Sequence, residues 1–149
     1  MNDVKEEILD ELKEILEKNI DAEKGYKKAS ENTDHDNLKR YFDRKATERS
    51  RFNTELKTEM ANAYDDFDVD GSFTGSMHRA WMDVKALFSA DDAESMLEES
   101  IKGDKAAVEE YDDVLKENTI PENLRALLSR QRETIQNDIN ENNSLENLH

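Results

Sequence analysis

The 149-residue sequence predicts an all-α four-helix bundle. Three observations predict it. Apolar residues recur at the helical period of 3.6 along four long stretches. Helix breakers are scarce, with one proline and four glycines in the whole chain. The connection between the second and third stretches is far longer than neighbouring antiparallel helices need.

The first helix is predicted from Asp3 to Asn32, with Val4, Ile8, Leu12, Ile15, Ala22 and Tyr26 on one face. Thr33-Asp34-His35-Asp36 interrupts it, and Asp34 or Asp36 is the expected N-cap of the next helix. That second helix spans Asn37 to Ala63, striped by Leu38, Phe42, Phe52, Leu56 and Met60. The short link makes the pair antiparallel neighbours. Tyr64 to Gly75 reads as a loop. A short amphipathic helix follows over Ser76–Phe88, with Met77, Ala80, Trp81, Val84 and Phe88 on one face. Ser89 to Asp92 supplies an N-cap region. The third long helix spans Asp91–Asn118, with Leu97, Ile101, Val108, Tyr111 and Leu115 inward. Thr119-Ile120-Pro121 ends it, and Pro121 suits the first position of a fourth helix. That helix runs to Asn142, striped by Leu124, Leu128, Ile135 and Ile139. Residues 1–142 thus form one domain, and 143–149 are expected to fray.

The middle connection holds about 27 residues, where an up-and-down bundle uses only about 2–8. At about 1.5 Å per helical residue it can run the height of the bundle. The second and third long helices are then parallel. The architecture this predicts is a ferritin-like four-helix bundle with a long crossover containing a short fifth helix.

Composition limits the function. With no cysteine, zinc–thiolate sites, disulfides and cysteine nucleophiles are excluded. A formal net charge of −16 repels phosphate backbones and anionic lipid, so neither nucleic acid nor membrane is an expected partner. At 39% charged and 35% hydrophobic the chain borders on disordered composition, but its periodicity argues for folding. The N-terminus is interrupted by charge every few residues, so it reads as neither a leader nor a membrane span. Cytoplasmic location is the expectation by default.

Polar residues interrupt the apolar stripes. On a wheel of about 100° per residue, Asn19 and Glu23 fall within the arc of helix one, and Lys45 and Arg49 near the centre of helix two. Asp104 does so in helix three and Gln131 in helix four. Helix register sets Glu23 opposite Lys45 and Arg49 opposite Asp104. Buried ions need such partners, because unpaired burial costs several kcal/mol per ion (order of magnitude). These six residues read as an internal ion-pair and hydrogen-bond layer that fixes register. Two alternatives use the same groups: a small-ligand pocket, or a degenerate dinuclear iron or manganese site. Ligand candidates for the metal are Glu23, Glu48, Glu99 and Asp104. Such sites place Glu-x-x-His on two helices. Here Arg51 stands three residues after Glu48, and Gln136 three after Glu133. His35, His78 and His149 are all misplaced, and Lys45 and Arg49 put positive charge where a metal would sit.

Four segments carry a resemblance. They are Asp21-Ala22-Glu23-Lys24-Gly25-Tyr26, Glu48-Arg49-Ser50-Arg51-Phe52, the run from Gly71 to Lys85 that includes His78-Arg79-Ala80-Trp81, and Gly103-Asp104 followed by Tyr111. Together they resemble the bacterial ferritin-like four-helix-bundle proteins of domain-of-unknown-function family 2383. The resemblance implies a ferritin-like bundle with a role in stress responses and supplies no catalytic residues. Ala22 and Asp104 stand where such proteins often show Gly and Glu. Asp104 is one methylene shorter, which weakens a metal-ligand reading.

Two further groups stand out. Asp66, Asp68 and Asp70, with Gly71 and Phe73, match the first half of an EF-hand calcium loop. Position twelve is Met77 rather than the bidentate Glu. His78, Arg79 and Trp81 are expected to anchor the crossover helix on the bundle. The expected function is therefore non-catalytic, acting through a protein partner or homo-oligomer, with no cofactor. A metal-binding oxidoreductase-like protein is the alternative, and calcium binding through the Asp66–Asp70 loop a third reading.

Overall fold

A computed structural model describes residues 2–64, 80–81, 83–89 and 92–148 of the chain. Helices α1 (Asn2–Asn32) and α2 (Asp36–Ala63) form one hairpin. Helices α4 (Ala93–Leu115) and α5 (Glu122–Glu141) form the second, and the six-residue α3 (Val84–Ser89) precedes it. No strand occurs among the described residues. No helix among them is long and apolar enough to cross a membrane.

Side-chain bonds between the hairpins give the helix directions. Tyr41 meets Ser100 and Arg49 meets Asp104, so α2 and α4 run the same way. Asn19 meets Tyr111 and Tyr26 meets Asp104, so α1 opposes α4. Lys45 meets Asp138 and Gln131 meets Glu55, so α5 opposes α2. The long middle connection thus joins two parallel helices.

The predicted stripes form the core. Leu38, Phe42, Phe52, Leu56 and Met60 of α2 are buried, as are Leu124, Leu128, Ile135 and Ile139 of α5. Two apolar clusters lie end to end. One joins Ile8–Leu16 of α1 to Phe52–Met60 of α2 and to the α4–α5 turn. The other joins Ala22–Ala29 to Leu38–Ala46 and the start of α4. Asn19 and Arg49 stand at the junction, so the polar layer divides the core.

Local chemistry departs from expectation in four places. The N-cap of α2 is His35, whose Nδ1 accepts from Leu38 N at 3.2 Å, rather than Asp34 or Asp36. Thr33 Oγ1 accepts from His35 N and holds the imidazole residue in extended backbone. Pro121 sits at the N-cap of α5, one residue before its first turn. Ala80, Trp81 and Asp83 are not helical; α3 starts at Val84, where Asp83 Oδ1 accepts from Ala86 N and stops the helix extending backward. Leu87 of α3, which the predicted face omitted, is buried, while Ala80 is exposed.

The C-terminal segment expected to fray instead forms a 3-10 turn over Leu145–Asn147. Leu148 is 5% exposed and packs in the cluster with Leu87, Met96 and Leu97, with Leu145 beside it. Burial of one leucine side chain, worth about 1.5–3 kcal/mol, offsets the ordering of this short segment.

Candidate functional site

Asp104 is the hub of the bundle interior. It projects from α4, is 1% exposed, and accepts three charge-assisted or phenolic bonds. Its Oδ1 takes Tyr26 Oη at 2.9 Å and Arg49 Nη2 at 2.7 Å. Its Oδ2 takes Lys45 Nζ at 2.7 Å. Lys45 and Arg49 are one helical turn apart on α2, so both reach the same carboxylate.

The Lys45 ammonium also meets Asp138 Oδ2 at 2.9 Å and Glu48 Oε2 at 3.3 Å. It lies 5.6 Å from the Tyr26 ring. Burial alone lowers a lysine's pKa, but Asp104, followed by Tyr26 and Glu48, more than offsets this and holds Lys45 well above its ordinary value. It is therefore an ammonium ion at any physiological pH. Arg49 donates through Nη1 to Asn19 Oδ1 at 3.0 Å, and its guanidinium lies near the Tyr26, Phe52 and Trp81 rings. Its Nε has no hydrogen-bond partner and lies 3.6 Å from Glu48 Oε2.

Two hydrogen-bond chains leave this centre. Ser100 Oγ donates to Tyr26 Oη at 3.3 Å, which leaves Tyr41 Oη as the donor to Ser100 at 3.0 Å. On the other side Asn19 donates to Tyr111 Oη at 2.9 Å, and Tyr111 donates to Gln131 Oε1 at 2.6 Å. Gln131 in turn donates to the Phe52 carbonyl. Burial pushes the Tyr41 phenol up to about 12 and raises Tyr26 and Tyr111 further, so all three stay neutral donors.

Of the predicted layer, Asn19, Lys45, Arg49, Asp104 and Gln131 are buried and joined in this network. Glu23 is not among them. Its expected partner Lys45 turns into the bundle centre, whereas Glu23 stands on the flank, accepting from Asn53 at 3.1 Å and lying 3.8 Å from Lys27. Asn53, which Glu23 meets on α2, lies eight residues along that helix from Lys45. The four metal candidates do not converge: Glu48 and Asp104 meet at Lys45, Glu23 stands on that flank, and Glu99 is half-buried elsewhere on α4. Among the described residues, no three Asp, Glu, His or Cys side chains are grouped to hold a metal.

Trp81 does pack on the bundle. Its ring centroid lies 6.1 Å from Tyr111, and its Nε1 donates to Glu110 at 3.0 Å. His78 and Arg79, and the calcium-loop candidates Asp66, Asp68 and Asp70, lie outside the described residues.

Asp138, Tyr41 and Ser100 belong to the network without having been singled out in the sequence. A signal for two of them was present. Asp138 follows Gln131 by seven residues and Ser100 precedes Asp104 by four, spacings that share a helix face.

A family model described as a domain of unknown function (DUF2383) matches residues 7–117, and the chain belongs to that family. The match ends within the turn before α5, so Gln131 and Asp138 lie beyond it. No curated protein and no solved structure matches the chain.

Proposed function

We propose that this member of the family is a non-catalytic, ferritin-like bundle that acts by association with other proteins in a bacterial stress response, in the cytoplasm. The observation that carries the reading is the Lys45 ammonium held by Asp104, Asp138 and Glu48. A carboxylate cluster that serves a metal leaves its charge open to the ion. Here a lysine and an arginine from the protein itself compensate that charge. A divalent cation at the same point would have to displace an ammonium with three carboxyl partners within 3.3 Å. What remains for function is the outside of the bundle. Its net charge of −16 disfavours nucleic acid and anionic lipid and leaves a protein partner or a second copy of the chain.

Metal analysis of the protein purified without added metal tests this reading. The expected content is far below one ion per chain. Near-stoichiometric iron or manganese, lost on Glu48→Ala substitution, would establish the alternative of a metal-binding, oxidoreductase-like bundle.

A further inference from the structure

The Glu48–Asp138 pair is not absorbed by that reading. Glu48 comes from α2 and Asp138 from α5, and both reach Lys45 Nζ. Glu48 also lies against Arg49, and Asp104 of α4 completes the set. The facing groups from α1 are uncharged, Asn19 and the phenol of Tyr26. On α4, Tyr111 is a neutral phenol as well. Trp81, ahead of α3, contributes only an aromatic ring. The cluster around Lys45 therefore holds three carboxyl groups against two permanent cations. It is neutral only when one carboxyl carries a proton. Asp104 accepts from three donors, Tyr26, Lys45 and Arg49. Glu48 and Asp138 share the Lys45 ammonium, with Arg49 Nε 3.6 Å from Glu48, and remain 13% and 21% exposed, so a proton can reach them from water.

We infer that Glu48 and Asp138 form a proton-binding site at the α2–α5 contact, sharing one proton so that release of that proton loosens the packing of α5 on α2. Burial is the main reason that Glu48 holds a proton up to about pH 7, against an ordinary value of 4.5, with Asp138 as hydrogen-bond partner. The same arrangement holds Asp138 below its ordinary value through Lys45 and Glu48, although burial opposes this. The sign is that of an acid whose folded-state pKa is raised. Its stabilising effect is complete below 4.5 and is lost as pH rises toward 7. The site makes the bundle firmer in mild acid than in mild alkali, and it does so whether or not the protein acts by association.

Urea denaturation of the full chain at pH 5 and pH 8 tests this, with Glu48→Gln as the variant and Glu59→Gln as the control. In the wild type, Glu48 should lower the folding equilibrium constant roughly 70-fold over that interval. The Gln variant should lack that decline, and the control should keep it. A Glu48→Gln variant that declines as steeply as the wild type overturns the inference. If that variant does not fold, carboxyl 13C titration of Glu48 in the wild type decides: a midpoint near 7 supports the site, and one near 4.5 refutes it.

Discussion

Lys45 and Arg49 show why charge in an apolar stripe needs to be read with its partners. A cation there is tolerable only if an anion reaches it, and Asp104 reaches both. The sequence made this half of the site legible. The helical period placed all three inward, and the parallel relation of the second and third long helices set Arg49 beside Asp104. Glu23 failed because register gives height, and height does not say which of two inward-leaning side chains turns to the centre. Asp138 shares a helix face with Gln131, seven residues before it, but its partner in the network is Lys45, 93 residues earlier, and that pairing has no local signature. The neutral side of the network is equally specific. Tyr111 accepts from Asn19 and donates to Gln131, so Tyr111→Phe leaves two buried amide groups short of a partner. That substitution should cost about 1–3 kcal/mol in a urea unfolding experiment, more than loss of one solvated hydroxyl. An unchanged midpoint would show that the two amides repartner freely.

The helices were legible as elements and less so at their ends. Long periodic stretches survive an error of one cap, so α1, α2, α4 and α5 lie close to their predicted ranges. Ends depend on single side chains. His35 caps α2 because its imidazole nitrogen reaches Leu38 N, a role that an aspartate on either side was expected to fill. Arg125 of α5 reaches back to the carbonyls of Leu115 and Glu117 and ties off α4, a tertiary contact with no local signature. The C-terminal turn is the clearest case. Its polar run Asn142-Asn143-Ser144 suggests fraying, yet Leu145 and Leu148 join an apolar cluster drawn from α1, α2, α3 and α4. Leu148→Ala should therefore destabilise the fold by roughly 2–3 kcal/mol, at the lower end of the range for buried leucine. Thermal unfolding measures this, and a transition identical to the wild type would mean that the turn contributes nothing to the bundle.

At the scale of the molecule, two electrostatic regimes coexist. The chain carries a net charge of −16, and neighbouring carboxylates repel one another, as the crowded Glu11 shows: burial, then Glu117 and Glu7, raise its carboxyl above the ordinary value. Salt screens exposed charges within about 10 Å at 0.1 M and leaves a buried cluster nearly untouched. Raising sodium chloride from about 0.05 to 0.5 M should thus shift the urea midpoint upward, and a fall would mean that exposed ion pairs outweigh the repulsion. The interior cluster links the two hairpins: Lys45 and Arg49 belong to the first, and Asp104 and Asp138 to the second. The cluster is the lock between them. A double-mutant cycle of Lys45→Met and Asp104→Leu measures that lock most directly. Each single change should be strongly destabilising, the pair together should cost far less than their sum, and the coupling should be about 2–3 kcal/mol. Additive effects, within about 0.5 kcal/mol, would contradict it.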